Sequence, residues 1–232
     1  KGVCRLSVIP VRVRPLESSE MVTQLLFGDH YTVVEDSNRG KWVRINVYFD
    51  GYEGWIDKKQ HYRISEEYFE QINSADYKVC LDRSTTVLFK KKTLPILIGS
   101  VLPIGSVELF KVDEQFAFNG ESKNLGEVWR FDRLKQVAFK YLNAPYLWGG
   151  RTPFGIDCSG FTQIVFKISG YKLERDSAMQ AKQGRKVDSL AKGEPGDLCF
   201  FGTKTKINHV GILLENERVI HASGHVRIDE MT

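Results

Sequence analysis

Tyr146-Leu147-Trp148-Gly149-Gly150, followed after a short loop by Ile156-Asp157-Cys158-Ser159-Gly160, is the stretch on which the reading of this 232-residue chain turns. A glycine-rich loop leads into a cysteine, and beyond it Phe161, Ile164, Val165 and Ile168 recur at helical spacing, with Gly170 suited to the stop. The cysteine is therefore expected to open an amphipathic helix, where the N-terminal dipole lowers a thiol pKa. Structural cysteines usually sit within apolar runs, as Cys199 does in Leu198-Cys199-Phe200-Phe201. Cys158 instead stands between Asp157 and Ser159, which favours a nucleophile over a packing residue.

A thiol nucleophile needs a base, and the base an orienting partner. His209 lies in Ile207-Asn208-His209-Val210-Gly211-Ile212, read as a strand with His209 and Gly211 on one face and Val210 and Ile212 on the other. A second strand, Val219-Ile220-His221-Ala222-Ser223, follows, and a tight turn at Glu215-Asn216 would set His209 opposite His221 or its neighbour. His209 is thus the expected base and His221 its partner. His225, in a glycine-flanked loop, is the rival for the partner's role. The two histidines with Asp157 could also suggest a metal, but no H-E-x-x-H or similar spacing supports it, and neither metal nor cofactor is expected.

Net charge is only +4, with both signs interspersed, which disfavours nucleic acid as a partner. Lys90-Lys91-Lys92 reads as solvated surface. No apolar run approaches the length of a membrane span. The chain opens on Lys1-Gly2 with no leader, as a processed chain would, so a periplasmic, secreted or cytoplasmic setting stays open. The four cysteines, Cys4, Cys80, Cys158 and Cys199, lie far apart, which argues against structural zinc and a disulfide framework. A monomer is expected.

Upstream, strand-like runs at Tyr31–Glu35, Lys41–Ile45 and Tyr52–Ile56, with a turn at Asp36–Gly40 and a hairpin signal at Asp50-Gly51, suggest a small β-barrel. A polar, helix-tolerant connector runs from Ser65 to about Asp76. A second strand-rich block begins at Val79-Cys80, echoing Val3-Cys4. From Arg133 to Leu142, apolar residues again mark a helix face, and strands at Asp197–Phe201, Asn208–Leu214 and Arg218–Ala222 complete an α+β domain.

Residues from about 133 to 232 resemble the NlpC-type cysteine peptidases of bacterial cell walls, a papain-like family. The resemblance is carried by the two stretches quoted first, by Arg175-Asp176-Ser177 with Gln180, Gly196-Asp197-Leu198, Asn208-His209-Val210-Gly211 and Ile220-His221-Ala222, in this order. It implies Cys158 as nucleophile, His209 as base and His221 as orienting residue. The leading blocks resemble bacterial SH3-like domains, so the expected organisation is two SH3-like barrels at 1–64 and 77–128 and a peptidase domain at 129–232. That arrangement is similar to the gamma-D-glutamyl-L-diamino-acid endopeptidases, in which the first SH3-like domain helps to close the cleft and selects a free N-terminal L-Ala. The resemblance further implies that Tyr146 helps to hold the oxyanion and that Asp157, Ser159, Asp176 and Ser177 line the cleft. Ser19–Val22 and Tyr52–Trp55 look like the segments facing it, with Glu20, beside Tyr52, pairing with the L-Ala ammonium. The family usually continues with another strand, implying a trimmed end after Thr232.

The expected reaction is hydrolysis of the bond between gamma-linked D-Glu and a diamino acid in free murein peptides such as L-Ala-gamma-D-Glu-diaminopimelate. The rivals are a hydrolase of intact wall anchored by its SH3-like blocks, a wall-binding module with a dead peptidase domain, and an acyltransferase acting on lipids.

Overall fold

The computed structural model describes residues 1–37, 40–74, 76–105, 110–111, 116–203 and 205–231. The chain divides into two compact units, Lys1–Glu127 and Val128–Thr232. No helix among the described residues is long and apolar enough to cross a membrane.

In the first unit one antiparallel sheet runs in the order Met21–Leu26, Val8–Arg12, Glu53–Asp57, Trp42–Val47, His30–Asp36, Gly2–Val3, Tyr62–Arg63. Alternation puts Ile9, Val11, Leu25, Tyr31, Val43, Ile45 and Ile56 into one core. The Asp50-Gly51 signal makes the expected hairpin: Gly51 takes φ +71°, and Asp50 Oδ1 accepts the Tyr52 N–H at 3.0 Å. Within the expected turn at Asp36–Gly40, Asn38 and Arg39 lie outside the described residues. The connector is a helix, Glu66–Ser74. The second block forms two smaller sheets. Neither block closes into a barrel among the described residues, because the outermost strands of each sheet pair on one side only.

The Val-Cys echo has a physical counterpart. Cys4 N–H donates to Asp29 O and Gly28 N–H to Cys4 O, while Cys80 N–H donates to Ser100 O and Gly99 N–H to Cys80 O. Asp29 Oδ2 accepts the Leu26 N–H as Ser100 Oγ accepts that of Leu97, and Gly28 and Gly99 share φ near +85° and +88°. The two copies interlock. Val101 N–H donates to Phe27 O at 2.8 Å, and Phe27 itself is buried in the second block's core with Val87, Ile96, Leu102 and Phe116. This shared core is why both blocks belong to one unit.

The second unit packs helices Phe131–Phe139 and Cys158–Ile168 with a four-stranded antiparallel sheet, in the order Leu198–Gly202, Ile207–Leu213, Arg218–Ser223, His225–Glu230. The fourth strand was not anticipated from sequence, which put His225 in a loop; its exposed positions 225 and 227 alternate with buried Val226. Phe161, Ile164, Val165 and Ile168 are fully buried on the helix, which packs on the second and third strands, where Val210, Ile212 and Ile220 are buried too. Each such side chain contributes about 1.5–3 kcal/mol.

The helix begins at Cys158, as its setting suggested, because Asp157 caps it. Asp157 Oδ1 accepts the Gly160 N–H at 2.6 Å, and Oδ2 accepts the Gly149 N–H at 2.8 Å. Arg175 clamps the same carboxylate, Nη1 to Oδ1 at 3.0 Å and Nη2 to Oδ2 at 2.6 Å, with both side chains under a tenth exposed. The loop approaches so closely that a Cβ on Gly160 would lie 2.4 Å from Gly150 O. Removing one partner of a buried pair leaves the other charge uncompensated, so Arg175→Ala is expected to cost about 3–5 kcal/mol. Urea unfolding measures this directly, and a loss below about 1 kcal/mol would show that the clamp is not what holds the helix start.

Candidate active site

Cys158 is the first residue of its helix and is 6% exposed. Burial pushes its thiol upward and the Asp157 carboxylate adds to this, while hydrogen bonds from the backbone of Val210 and Ser159 and the Arg175 guanidinium pull the other way. Desolvation thus outweighs the lowering expected at a helix start. The Val210 contact sets the second sheet strand, at the residue next to His209, against the sulfur.

His209 and His221 share one face of the sheet but not one rung. Gly211 stands directly opposite His221, so His209 lies diagonal to it. The expected register was off because the turn is centred one residue later: Asn216 and Glu217, at φ +57° and +53°, make it rather than Glu215-Asn216. The diagonal still brings the rings together, with His209 Nε2 and His221 Nδ1 2.6 Å apart and the ring planes at 74°. Gly211 makes room, since a Cβ there would come within 2.9 Å of His221 Cβ. Burial pushes His209 downward, and His221 and Arg227 add to it. The resting pair is thus a neutral thiol and a neutral imidazole, which suits a base that removes the thiol proton during attack.

The chain of bonds continues past His221. Its Nε2 lies 2.9 Å from Asp229 Oδ2, and Arg227 donates to the same oxygen from Nε at 3.0 Å. Asp229 was missed from sequence because its strand was missed. His225 stands exposed opposite Ser223 at the start of that strand. Cys199 lies half-buried opposite Gly211, and burial, then the Asp197 charge, push its thiol up to about 11.

Of the expected cleft residues, Tyr146 is 37% exposed, and burial followed by the charges of Cys158 and Asp157 pushes its hydroxyl up to about 12, so it stays a donor. Ser159 is buried, its Oγ accepting from Arg175 Nη1 at 3.0 Å. Asp157 is held from inside by Arg175 and two backbone N–H groups, so its oxygens serve the helix start. Asp176 is exposed as the cap residue of the short helix Ser177–Gln180, and Ser177 is half-buried. Gln180 ties that helix to the cysteine helix, its Nε2 donating to Ser159 O at 3.0 Å and its Oε1 accepting from Thr162 at 2.8 Å. Glu20 and Tyr52 belong to the first unit: Glu20 is exposed, and Tyr52 is half-buried beside the Asp50-Gly51 turn. Among the described residues no group of three or more His, Cys, Asp or Glu side chains could hold a metal ion.

Residues 143–232 match the NlpC/P60 family, and residues 11–60 match the bacterial dipeptidyl-peptidase Sh3 domain. The gamma-D-glutamyl-L-lysine dipeptidyl-peptidase of Bacillus subtilis strain 168 is 30% identical over 220 residues, covering 86% of this chain and 71% of the relative. That of Bacillus cereus ATCC 10987 is 29% identical over 233 residues, covering 88% and 68%. Among solved structures, an NlpC/P60 family protein from Bacillus cereus ATCC 10987 superposes with a TM-score of 0.85 at 21% identity, over 99% of this chain and 93% of that one. An NlpC/P60 endopeptidase from Photobacterium damselae subsp. piscicida does so with a TM-score of 0.76 at 16% identity, over 98% and 65%. With the thiol and imidazole geometry above, these likenesses identify the chain as a member of the NlpC/P60 family of cell-wall cysteine peptidases, carrying an SH3-like N-terminal domain.

Proposed function

We propose that this protein hydrolyses the bond between gamma-linked D-Glu and an L-diamino acid in free murein peptides that begin with L-Ala. The observation that carries the reading is the 2.6 Å bond between His209 and His221, set against the helix that opens on Cys158. Cys158 is the nucleophile, His209 the base and His221 its orienting partner. His209 takes the thiol proton as sulfur attacks the D-Glu side-chain carbonyl, then passes that proton to the departing amine of the diamino acid. Water, deprotonated by His209, splits the resulting thioester and releases L-Ala-D-Glu. The Tyr146 hydroxyl, kept protonated, donates to the oxyanion. Ser159, Asp176 and Ser177 line the substrate's path. Glu20 and Tyr52 receive the L-Ala ammonium. The relatives' name specifies lysine, which makes L-Ala-gamma-D-Glu-L-Lys the first substrate to test beside its diaminopimelate counterpart.

The same reading assigns residues 1–64 and 77–128 to two SH3-like domains and 129–232 to the peptidase. The repeated hydrogen bonds around Cys4 and Cys80 support the second copy.

Cys158→Ala is expected to lower turnover of the tripeptide by about 10⁴ or more, although Cys199 remains. His221→Ala should lose less, because nucleophile and base persist, and His225→Ala should change little. Product masses and kcat/KM for the three variants check this; a His225→Ala variant more damaged than His221→Ala would require a different relay. Acetylating the substrate's L-Ala amine is expected to reduce kcat/KM about tenfold or more, roughly 1.4 kcal/mol. Equal rates on free and acetylated peptide, with release of peptide from intact sacculi, would replace the free-peptide reading by the intact-wall one.

A further inference from the structure

The geometry points to Asp229 as a positioning residue that sets the proton arrangement of both histidines. This inference rests on the roles proposed for Cys158, His209 and His221. It follows from one accounting of donors and acceptors along the chain of ring nitrogens. An ionised carboxylate can only accept. Asp229 Oδ2 lies 2.9 Å from His221 Nε2, so a neutral His221 carries its proton on Nε2 and offers a bare Nδ1. That Nδ1 is 2.6 Å from His209 Nε2, which must then be the donor. The remaining His209 nitrogen, Nδ1, is left with a free lone pair, the form that a base acting on a thiol requires. Reversing any one proton would put two donors or two acceptors face to face.

The condition for this logic is that Asp229 stays ionised. Its hydrogen bond with His221, and then Arg227, hold its carboxyl below the usual carboxylate range. Arg227 stands directly opposite His221 and donates to the same oxygen from Nε at 3.0 Å, with Nη2 at 2.9 Å. Asp229 sits diagonal to His221, on the rung of Val219. The side chain of His221 is only 10% exposed, whereas Asp229 is 40% exposed, so the carboxylate caps the outer end of the relay. Asp229 touches neither thiol nor substrate in this scheme; it acts through His221 alone.

The test uses the full chain. The ¹⁵N shifts of both imidazoles, read where the rings are neutral, should report the Nε2–H form for His221 and for His209. In Asp229→Asn the side chain can rotate to offer either an oxygen or an NH₂, so His221 should become a mixture of tautomers. On L-Ala-gamma-D-Glu-L-Lys its kcat should fall about ten- to a hundredfold, with KM changed less than about twofold. A wild-type His221 in the Nδ1–H form, or an Asp229→Asn variant with undiminished kcat and unchanged shifts, would overturn the inference. Should Asp229→Asn not fold, the wild-type shifts alone decide. Cys158→Ala, assayed alongside, separates the two levels. If it is dead while Asp229→Asn is fully active, only the role of Asp229 is lost; if it retains activity, the site and this inference fall together.

Discussion

The Asp157 carboxylate is the point from which the second unit is organised. Two backbone N–H groups, one in the Gly149-Gly150 loop and one in the first turn of the cysteine helix, converge on it, and Arg175 closes around both oxygens. One buried group thereby fixes the loop, the helix start and the following segment relative to one another. A single helix cap is worth about 1 kcal/mol, whereas a buried and fully hydrogen-bonded carboxylate–guanidinium pair tolerates no loss of either member. The same charge acts on the cysteine it positions, helping burial to keep the thiol protonated until a base approaches.

That base comes from a sheet with one apolar face and one mixed face, on which Leu213 and Val219 are buried beside the histidines. Val210, Ile212, Ile220 and Ala222 are buried, while His209, His221, Arg227 and Asp229 alternate with such positions along three neighbouring strands. Strand alternation, which exists to build a core, delivers a row of ionisable groups to one surface at no conformational cost. Gly211 is the exception that makes the row work. Its missing side chain leaves the space in which two diagonal imidazoles meet.

The first unit shows a different economy. Cys4 and Cys80 take part in matching sets of backbone bonds, each closed by a glycine at positive φ and a side chain that accepts the N–H three residues upstream. Gly28 cannot carry a side chain, for a Cβ would lie 2.0 Å from Val101 O. The repeat therefore explains both halves' local structure and the tightness of their junction. Phe27, stacked on Phe116 at 6.0 Å, completes a core that the second block alone would leave short of one large ring.

Much of this was legible in the sequence because it depends on local order. The spacing of Phe161, Ile164, Val165 and Ile168 determined a helix, the alternation around His209 determined its face, and the polar neighbours of Cys158 distinguished it from Cys199. Motif order along residues 133 to 232 determined the family. Other features needed the folded chain. The centre of the turn at Asn216-Glu217 depends on which residues can adopt positive φ, and a shift of one residue changed the pairing of the histidines from direct to diagonal. The strand His225–Glu230, and with it Asp229, is defined by a neighbour to pair with rather than by its own composition. Arg175 was legible as part of a motif, but its near-complete burial against Asp157 was not. Periodicity is a property of a segment and survives in one dimension; register, burial of charge and the direction of a proton depend on partners far along the chain, and only tertiary structure brings those partners within hydrogen-bonding distance.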